Sequence, residues 1–185
     1  METSGVEAEL RTIARRRHPV VVGIEGYGGS GKSTFAAELA AALPNAYVIH
    51  MDDFLVKELV LGPWEAGAFD RERLEREVLI PATMESPIAF RRLEWQANEL
   101  SEPIEVPDAD FIIVEGISAF HPDIAAYYDY TVWIDTPLEI AKARGQSRDR
   151  GNENEQHWDL WAKNDQKYQK KYHSERIADA VVANP

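Results

Sequence analysis

The chain has 185 residues, 44% of them hydrophobic and 28% charged, with no cysteine and a formal net charge of −12. That length carries one domain over 1–185 whose core needs no staple, and the missing thiols exclude a disulfide scaffold or a thiolate metal site while fitting a reducing cytoplasm. The acidic balance argues against a nucleic-acid partner, whose affinity comes from clustered Lys and Arg, and the apolar runs are too short to cross a bilayer; a soluble cytoplasmic protein with no membrane partner is expected.

Residues 6 to 17 set Val6, Leu10 and Ile13 at helical spacing, and Pro19 closes that helix. Arg15, Arg16 and Arg17 read as its solvated end, positive charge at the negative pole of the helix dipole. "VVVGI" follows, apolar without alternation, the pattern of a parallel strand covered on both faces. After a glycine-rich stretch, "KSTFAAELAAAL" predicts a strong helix carrying Phe35, Leu39 and Leu43, stopped by Pro44 and Asn45.

"AYVIH" then reads as a second strand, "FIIV" as a third, "YTVWI" as a fourth and "DAVVA" as a fifth, with helical patterns between most of them. This alternation predicts an α/β fold, a five-stranded parallel sheet with helices on both faces. Thr136 is expected to cap a helix from Pro137 to about Arg148. A last helix runs from about Asn154 to Ser174; its face of Trp158, Trp161, Asp165, Tyr168 and Tyr172 reads as core packing before base stacking. Residues 54–109 break the rhythm with five prolines and one helical stretch near 70 to 80, an insertion long enough to carry function.

The residues "GYGGSGKST" hold four glycines in six positions, followed by a lysine and two hydroxyls. Gly26 to Ser33 match G-x-x-x-x-G-K-[ST] between a strand and a helix, the setting in which backbone amides cradle nucleotide phosphates. The amides of Gly28, Gly29, Ser30, Gly31, Lys32 and Ser33, with Thr34 beside them, are the expected phosphate site, with the helix N-terminus adding its positive end. Lys32 would bridge the β- and γ-phosphates of ATP, and Ser33 would bind Mg²⁺. A GTP switch would need N-K-x-D and D-x-x-G; neither is present, and "AKNDQ" has those letters in the wrong order. A small-molecule kinase fits this length, and it must hold an acceptor hydroxyl in line with the γ-phosphate.

Asp52 and Asp53 follow the second strand, at the carboxyl edge where ligands sit in open parallel sheets. On an extended chain only one of the two can face the crevice, and Asp52 is chosen, partly on the resemblance given next. Glu115 ends the third strand near the expected metal and could hold a Mg²⁺-bound water; a buried structural acid is the competing reading.

Taken in order, "GxxGSGKST", "VIHMDDF", Phe69-Asp70, "VEGI", "IDT", "ARGQSRDR" and "ADAVVAN" resemble the uridine kinase-like family of phosphate-loop kinases, with a stretch similar to the related nicotinamide riboside kinases. The resemblance implies the three-layer P-loop NTPase fold, ATP and Mg²⁺ as cofactors, and a nucleoside-like acceptor; oligomeric state stays open. It assigns Asp52 to the sugar 5′-hydroxyl, Asp70 to the ribose hydroxyls and Phe69 to the wall beside it. Arg144 and Arg148 match arginines of the helix and lid (144–157) that clamp sugar and phosphates, although a solvated i,i+4 pair is the alternative. For the Y-D-x-x-x-H segment whose tyrosine and histidine flank the pyrimidine in the family, the best match is Leu93-Glu94-Trp95 with Asn98 in the histidine's place, so another acceptor, such as nicotinamide riboside, pantothenate or a sugar, stays open beside uridine. A nucleotide-binding regulator without transfer activity is the alternative from outside the enzymes.

Overall fold

The apolar run near the start of the chain becomes the central strand of the sheet. In the computed structural model, which describes residues 2–15 and 18–185, β1 (Val20–Gly26) is buried at every position. Strands β2 (Ala46–His50), β7 (Phe111–Glu115), β8 (Tyr130–Asp135) and β9 (Ala180–Ala183) join it in the order β2-β7-β1-β8-β9, every pairing parallel. β1 holds the middle position between β7 and β8, and the residues of β1 and β7 alternate between two cores. Val20, Val22 and Ile24 of β1 face α1 (Ser4–Ile13) and α2 (Lys32–Ala42), packing on Leu10, Phe35 and Leu39. Val21 lies on the other side, in a core shared with Ile112, Val114, Leu74, Val78 and Tyr168. A sheet between two helical layers results, as expected.

Several element ends differ from the sequence reading. The first helix stops at Ile13, and Arg16 and Arg17 of its predicted basic end lie outside the described residues. Thr136 does not cap α5 (Leu138–Arg148); its hydroxyl donates to the carbonyls of Ser30 (3.0 Å) and Asn184 (2.9 Å), tying the end of β8 to the phosphate loop and to the residue after β9. The last long helix, α6 (Trp158–Tyr172), begins four residues later than expected, after a 3₁₀ turn at Glu155–His157, and ends at His173 with φ +53°. A short α7 (Ser174–Ile177) leads into β9.

The segment between β2 and β7 starts with a 3₁₀ turn, Met51–Phe54, and continues through two further 3₁₀ turns. The predicted helix near 70 to 80 is α3 (Arg71–Leu74), a π-helical stretch Glu75–Leu79 and α4 (Ile80–Thr83). Pro81 has no N–H to give and its ring crowds the carbonyl four residues back, which favours the wider turn just before it. Two small antiparallel pairs follow, β3 (Ala89–Phe90) with β6 (Ile104–Glu105) and β4 (Leu93–Glu94) with β5 (Glu99–Leu100). Among the described residues no helix is long and apolar enough to cross a membrane.

Candidate active site

Because all five strands run parallel, their carboxyl ends gather on one edge. β1 delivers the phosphate loop there, and the register sets His50 of β2 opposite Glu115 of β7. A cleft of about 880 Å³ opens along this edge. Gly28, Gly29, Gly31, Lys32, Ser33 and Thr34 line it, as do Asp52, Phe69, Trp95, Glu115, Arg144 and Arg148.

The loop requires its glycines. Gly29 has φ +80°, and a Cβ there would lie 2.1 Å from the carbonyl oxygen of Ala141 on α5. Gly31 has φ +96° at the N-terminus of α2, a backbone that L side chains rarely adopt. Not every expected amide is free. Ser30 N–H donates to Tyr27 O (3.0 Å), and the Ser30 side chain is fully buried away from the cleft. Gly28 N–H donates to the carboxylate of Asp165 (2.9 Å). Lys32 folds back, its ammonium donating to Tyr27 O at 2.9 Å.

A hydroxyl and a carboxylate meet beside the loop. Ser33 Oγ donates to Glu115 Oε1 at 3.0 Å, and His50 Nδ1 approaches the same oxygen at 2.5 Å. Burial works to raise the pKa of Glu115, but the His50 and Ser33 hydrogen bonds and the Lys32 charge outweigh it, and the carboxyl titrates below its ordinary range. The Glu115 hydrogen bond holds His50 above its own usual value. Glu115 is therefore paired with a histidine and a serine.

Asp52 and Asp53 both line the cleft. The expectation that only one could do so assumed an extended chain, whereas Met51–Phe54 is a 3₁₀ turn in which successive side chains do not oppose. Asp52 is exposed where it lines the cleft; desolvation by the surrounding protein, reinforced by Glu115 and opposed by Lys32 and His50, pushes its carboxyl above the usual range. Asp53 is also raised, mainly by desolvation.

The remaining predicted residues separate. Phe69 and Trp95 wall the cleft, Trp95 held by Lys57, whose ammonium donates to its carbonyl (2.7 Å) and lies 5.4 Å from its ring centroid. Asp70 does not line the cleft. It caps α3, accepting from Arg73 N–H at 3.0 Å, and borders a separate cavity of about 240 Å³. Asn98 donates to Glu58 (2.8 Å) and also lies outside the cleft. Arg144 and Arg148 sit on α5, ahead of the turn segment 149–157. Arg144 donates to the carbonyls of Asn184 (3.2 Å) and Pro185 (2.7 Å); Arg148 pairs with Asp149 (3.0 Å) and lies 5.6 Å from the Trp158 ring centroid.

Sequence reasoning missed the part that α6 contributes. Trp158, Trp161 and Asp165 line the cleft, so the face read as core packing is partly a site wall. Asp165 is 4% exposed and accepts from Gly28 N–H on one oxygen and from Trp64 Nε1–H (2.8 Å) on the other. Burial pushes its pKa up to about 6, against both hydrogen bonds and the Lys32 charge. The i, i+3, i+7 spacing of Trp158, Trp161 and Asp165 was the available signal.

No family model matches the chain. A uridine kinase of Lactobacillus helveticus is 31% identical over 150 residues, covering 74% of this chain and 71% of that protein. Human nicotinamide riboside kinase 2 is 30% identical over 137 residues, 70% of this chain and 57% of that protein. A solved structure from Bacillus stearothermophilus, described as a possible uridine kinase, superposes with a TM-score of 0.71 at 21% identity, covering 98% of this chain and all of that one. The phosphate loop, the acids at the strand ends and a relative matched at 31% identity over 71% of its length lead to one conclusion: the chain belongs to the uridine kinase family of phosphate-loop kinases.

Proposed function

We propose that the chain is an ATP-dependent kinase that transfers the γ-phosphoryl group to a hydroxyl of a nucleoside-like small molecule. The observation that carries this reading is a single cleft shared by the phosphate loop, Lys32, Asp52 and Asp53, with Leu55, Phe69, Leu93 and Trp95 as an apolar wall for the acceptor. Residues 1–185 are read as one kinase domain in which 54–109 supplies that wall and 144–157 the lid.

An alcohol is too weak an acid to be ionised by a carboxylate before transfer begins. Asp52 therefore accepts the hydroxyl hydrogen, aims the oxygen at phosphorus, and takes the proton as the new bond forms. Its raised pKa makes it a stronger base than an ordinary aspartate. The loop amides and Lys32 neutralise charge that develops on the phosphoryl oxygens. Arg148 would join them by leaving Asp149; Arg144, which lines the cleft and is bonded to the carbonyls that follow β9, would contact sugar or phosphate. Phe69 stays a wall residue, while the Asp70 carboxylate, engaged as a helix cap, gains no support as a ribose ligand.

The residues fit Mg²⁺. Ser33 and Glu115 bring a hydroxyl and a carboxylate within 3.0 Å of one another, the hard oxygen donors this ion prefers. Among the described residues no three His, Asp or Glu side chains gather to hold a metal, which suits an ion that is bound largely by water and substrate phosphates. When bound, Mg²⁺ would offset phosphate charge and orient the γ-phosphoryl group.

The test is a panel of acceptors, including uridine, cytidine, nicotinamide riboside, pantothenate and sugars, assayed with ATP and Mg²⁺ for ADP release and phosphorylated product. Asp52→Asn is expected to lower kcat roughly 10²- to 10⁴-fold with ATP affinity nearly unchanged. Unaltered turnover in that variant would dismiss the assignment. Tight ATP binding with no acceptor-stimulated ADP formation would favour a binding regulator.

A further inference from the structure

Asp165 is a buried acid of the cleft that the transfer chemistry above leaves without a task. Its two carboxylate oxygens serve different parts of the site: one accepts from Gly28 N–H of the phosphate loop (2.9 Å), the other from the indole N–H of Trp64 in the insertion (2.8 Å). The same helix holds the chain around Trp64 at two further points. Trp161 Nε1–H donates to Val60 O (3.2 Å), and Asn164 Nδ2–H donates to Gly62 O (2.8 Å). Residues at i, i+3 and i+4 share one helix face, so Trp161, Asn164 and Asp165 grip residues 60–64 from a single side. Of the three, Asp165 also accepts a hydrogen bond from the phosphate loop.

We propose that Asp165 is the positioning residue that sets the spacing between phosphoryl donor and acceptor, by holding the phosphate-loop amide of Gly28 and the acceptor-side indole of Trp64 on one carboxylate. The inference rests on the kinase reading above. Trp64 is 3% exposed and packs its ring on Phe69, centroids 5.7 Å apart, and Phe69 is a wall of the acceptor chamber. A displacement at Trp64 is thus passed to the surface that the acceptor touches. Transfer depends steeply on this spacing, because reacting atoms must lie in line and near contact, and a misplacement of ~1 Å can cost ~10²-fold in rate.

The geometry makes the two oxygens non-equivalent to substitution. In Asp165→Asn one oxygen can still accept from one of the two N–H groups, but the amide NH₂ meets the other, and two donors cannot bond. Trp64→Phe removes only the indole N–H and its ring mass, and leaves Gly28 bonded.

The experiment uses the full chain with the best acceptor of the panel. Four quantities are measured for the wild type, Asp165→Asn, Trp64→Phe and the double variant: nucleotide affinity by calorimetry with a non-hydrolysable ATP analogue, kcat, acceptor KM, and product formed per ATP consumed. Melting temperature is recorded alongside. Both single variants are expected to lose about 10- to 100-fold in kcat and to consume ATP without matching product. Trp64→Phe should keep nucleotide affinity within about twofold, since it leaves the loop untouched. The double variant should be little worse than Asp165→Asn, because both changes break one linkage. A folded Trp64→Phe variant with wild-type kcat and full coupling of ATP to product, its melting temperature alone lowered, would overturn the inference and leave the kinase reading standing. A wild-type chain that phosphorylates no acceptor would overturn both.

Discussion

Glu25 offers a direct test of the electrostatics beneath the phosphate loop. It lies on β1 one residue before the loop, 1% exposed, accepting from Phe120 N–H (3.1 Å) and Ser174 Oγ–H (2.7 Å). Desolvation raises its pKa from 4.5 to about 7, with Asp165 adding to the rise and the two hydrogen bonds and Lys32 resisting it. The fold therefore favours the neutral acid. Its contribution to stability is complete below pH 4.5, falls as the pH climbs to about 7, and is then gone. The interval corresponds to about 3 kcal/mol. Glu25→Gln stays neutral throughout, its carbonyl able to accept from Phe120 N–H and its NH₂ able to donate to the serine oxygen. Urea unfolding of both proteins from pH 5 to 8.5 should show the variant gaining on the wild type as pH rises, by up to about 3 kcal/mol at the alkaline end. A stability difference that stays level with pH, or moves the other way, would refute the buried neutral carboxyl.

Further outcomes follow from individual contacts. Gly145→Ala would bring a Cβ within 2.1 Å of the Trp158 ring, which itself packs on Gly28; a loss of about 1–3 kcal/mol, weaker ATP binding and a changed tryptophan fluorescence are expected together. Glu115→Gln keeps the shape beside Ser33 but removes the charge, so the Mg²⁺ concentration for half-maximal activity should rise severalfold, read from a metal titration at saturating ATP. Asp179 accepts from both the N–H (2.8 Å) and the hydroxyl (2.9 Å) of Thr131, which anchors the start of β9 to β8. Asp179→Ala leaves the Thr131 amide without that acceptor and should cost about 1–3 kcal/mol in chemical denaturation, with ATP affinity per folded molecule unchanged.

The local code carried the elements and the donor half of the site. Continuous apolar runs such as "VVVGI" and "FIIV" have one stable home, a parallel strand covered on both faces, and the glycines, lysine and serine of the loop are neighbours in sequence, so their grouping needs no distant partner. The same locality put the Asp52–Asp53 pair and Glu115 at the cleft, since each ends or follows a strand whose edge the fold makes common, while the choice of Asp52 within the pair leaned on the family resemblance. What depended on distant partners was not legible. Whether Asp53 joins Asp52 turned on a 3₁₀ turn instead of an extended exit, and Thr136 spent its hydroxyl on the phosphate loop and not on its own helix. Asp70, Trp95 and Asn98 could be paired from the order of residues, yet only Trp95 reaches the cleft, because the insertion's small hairpins and turns set direction by contacts such as Lys57 with Trp95 and Glu58 with Asn98. Asp165 stands 137 residues from the amide it accepts and 101 from the indole. No periodicity records a partner so remote; the packing of α6 across the loop and the insertion decided it, by burying a carboxylate where two donors converge.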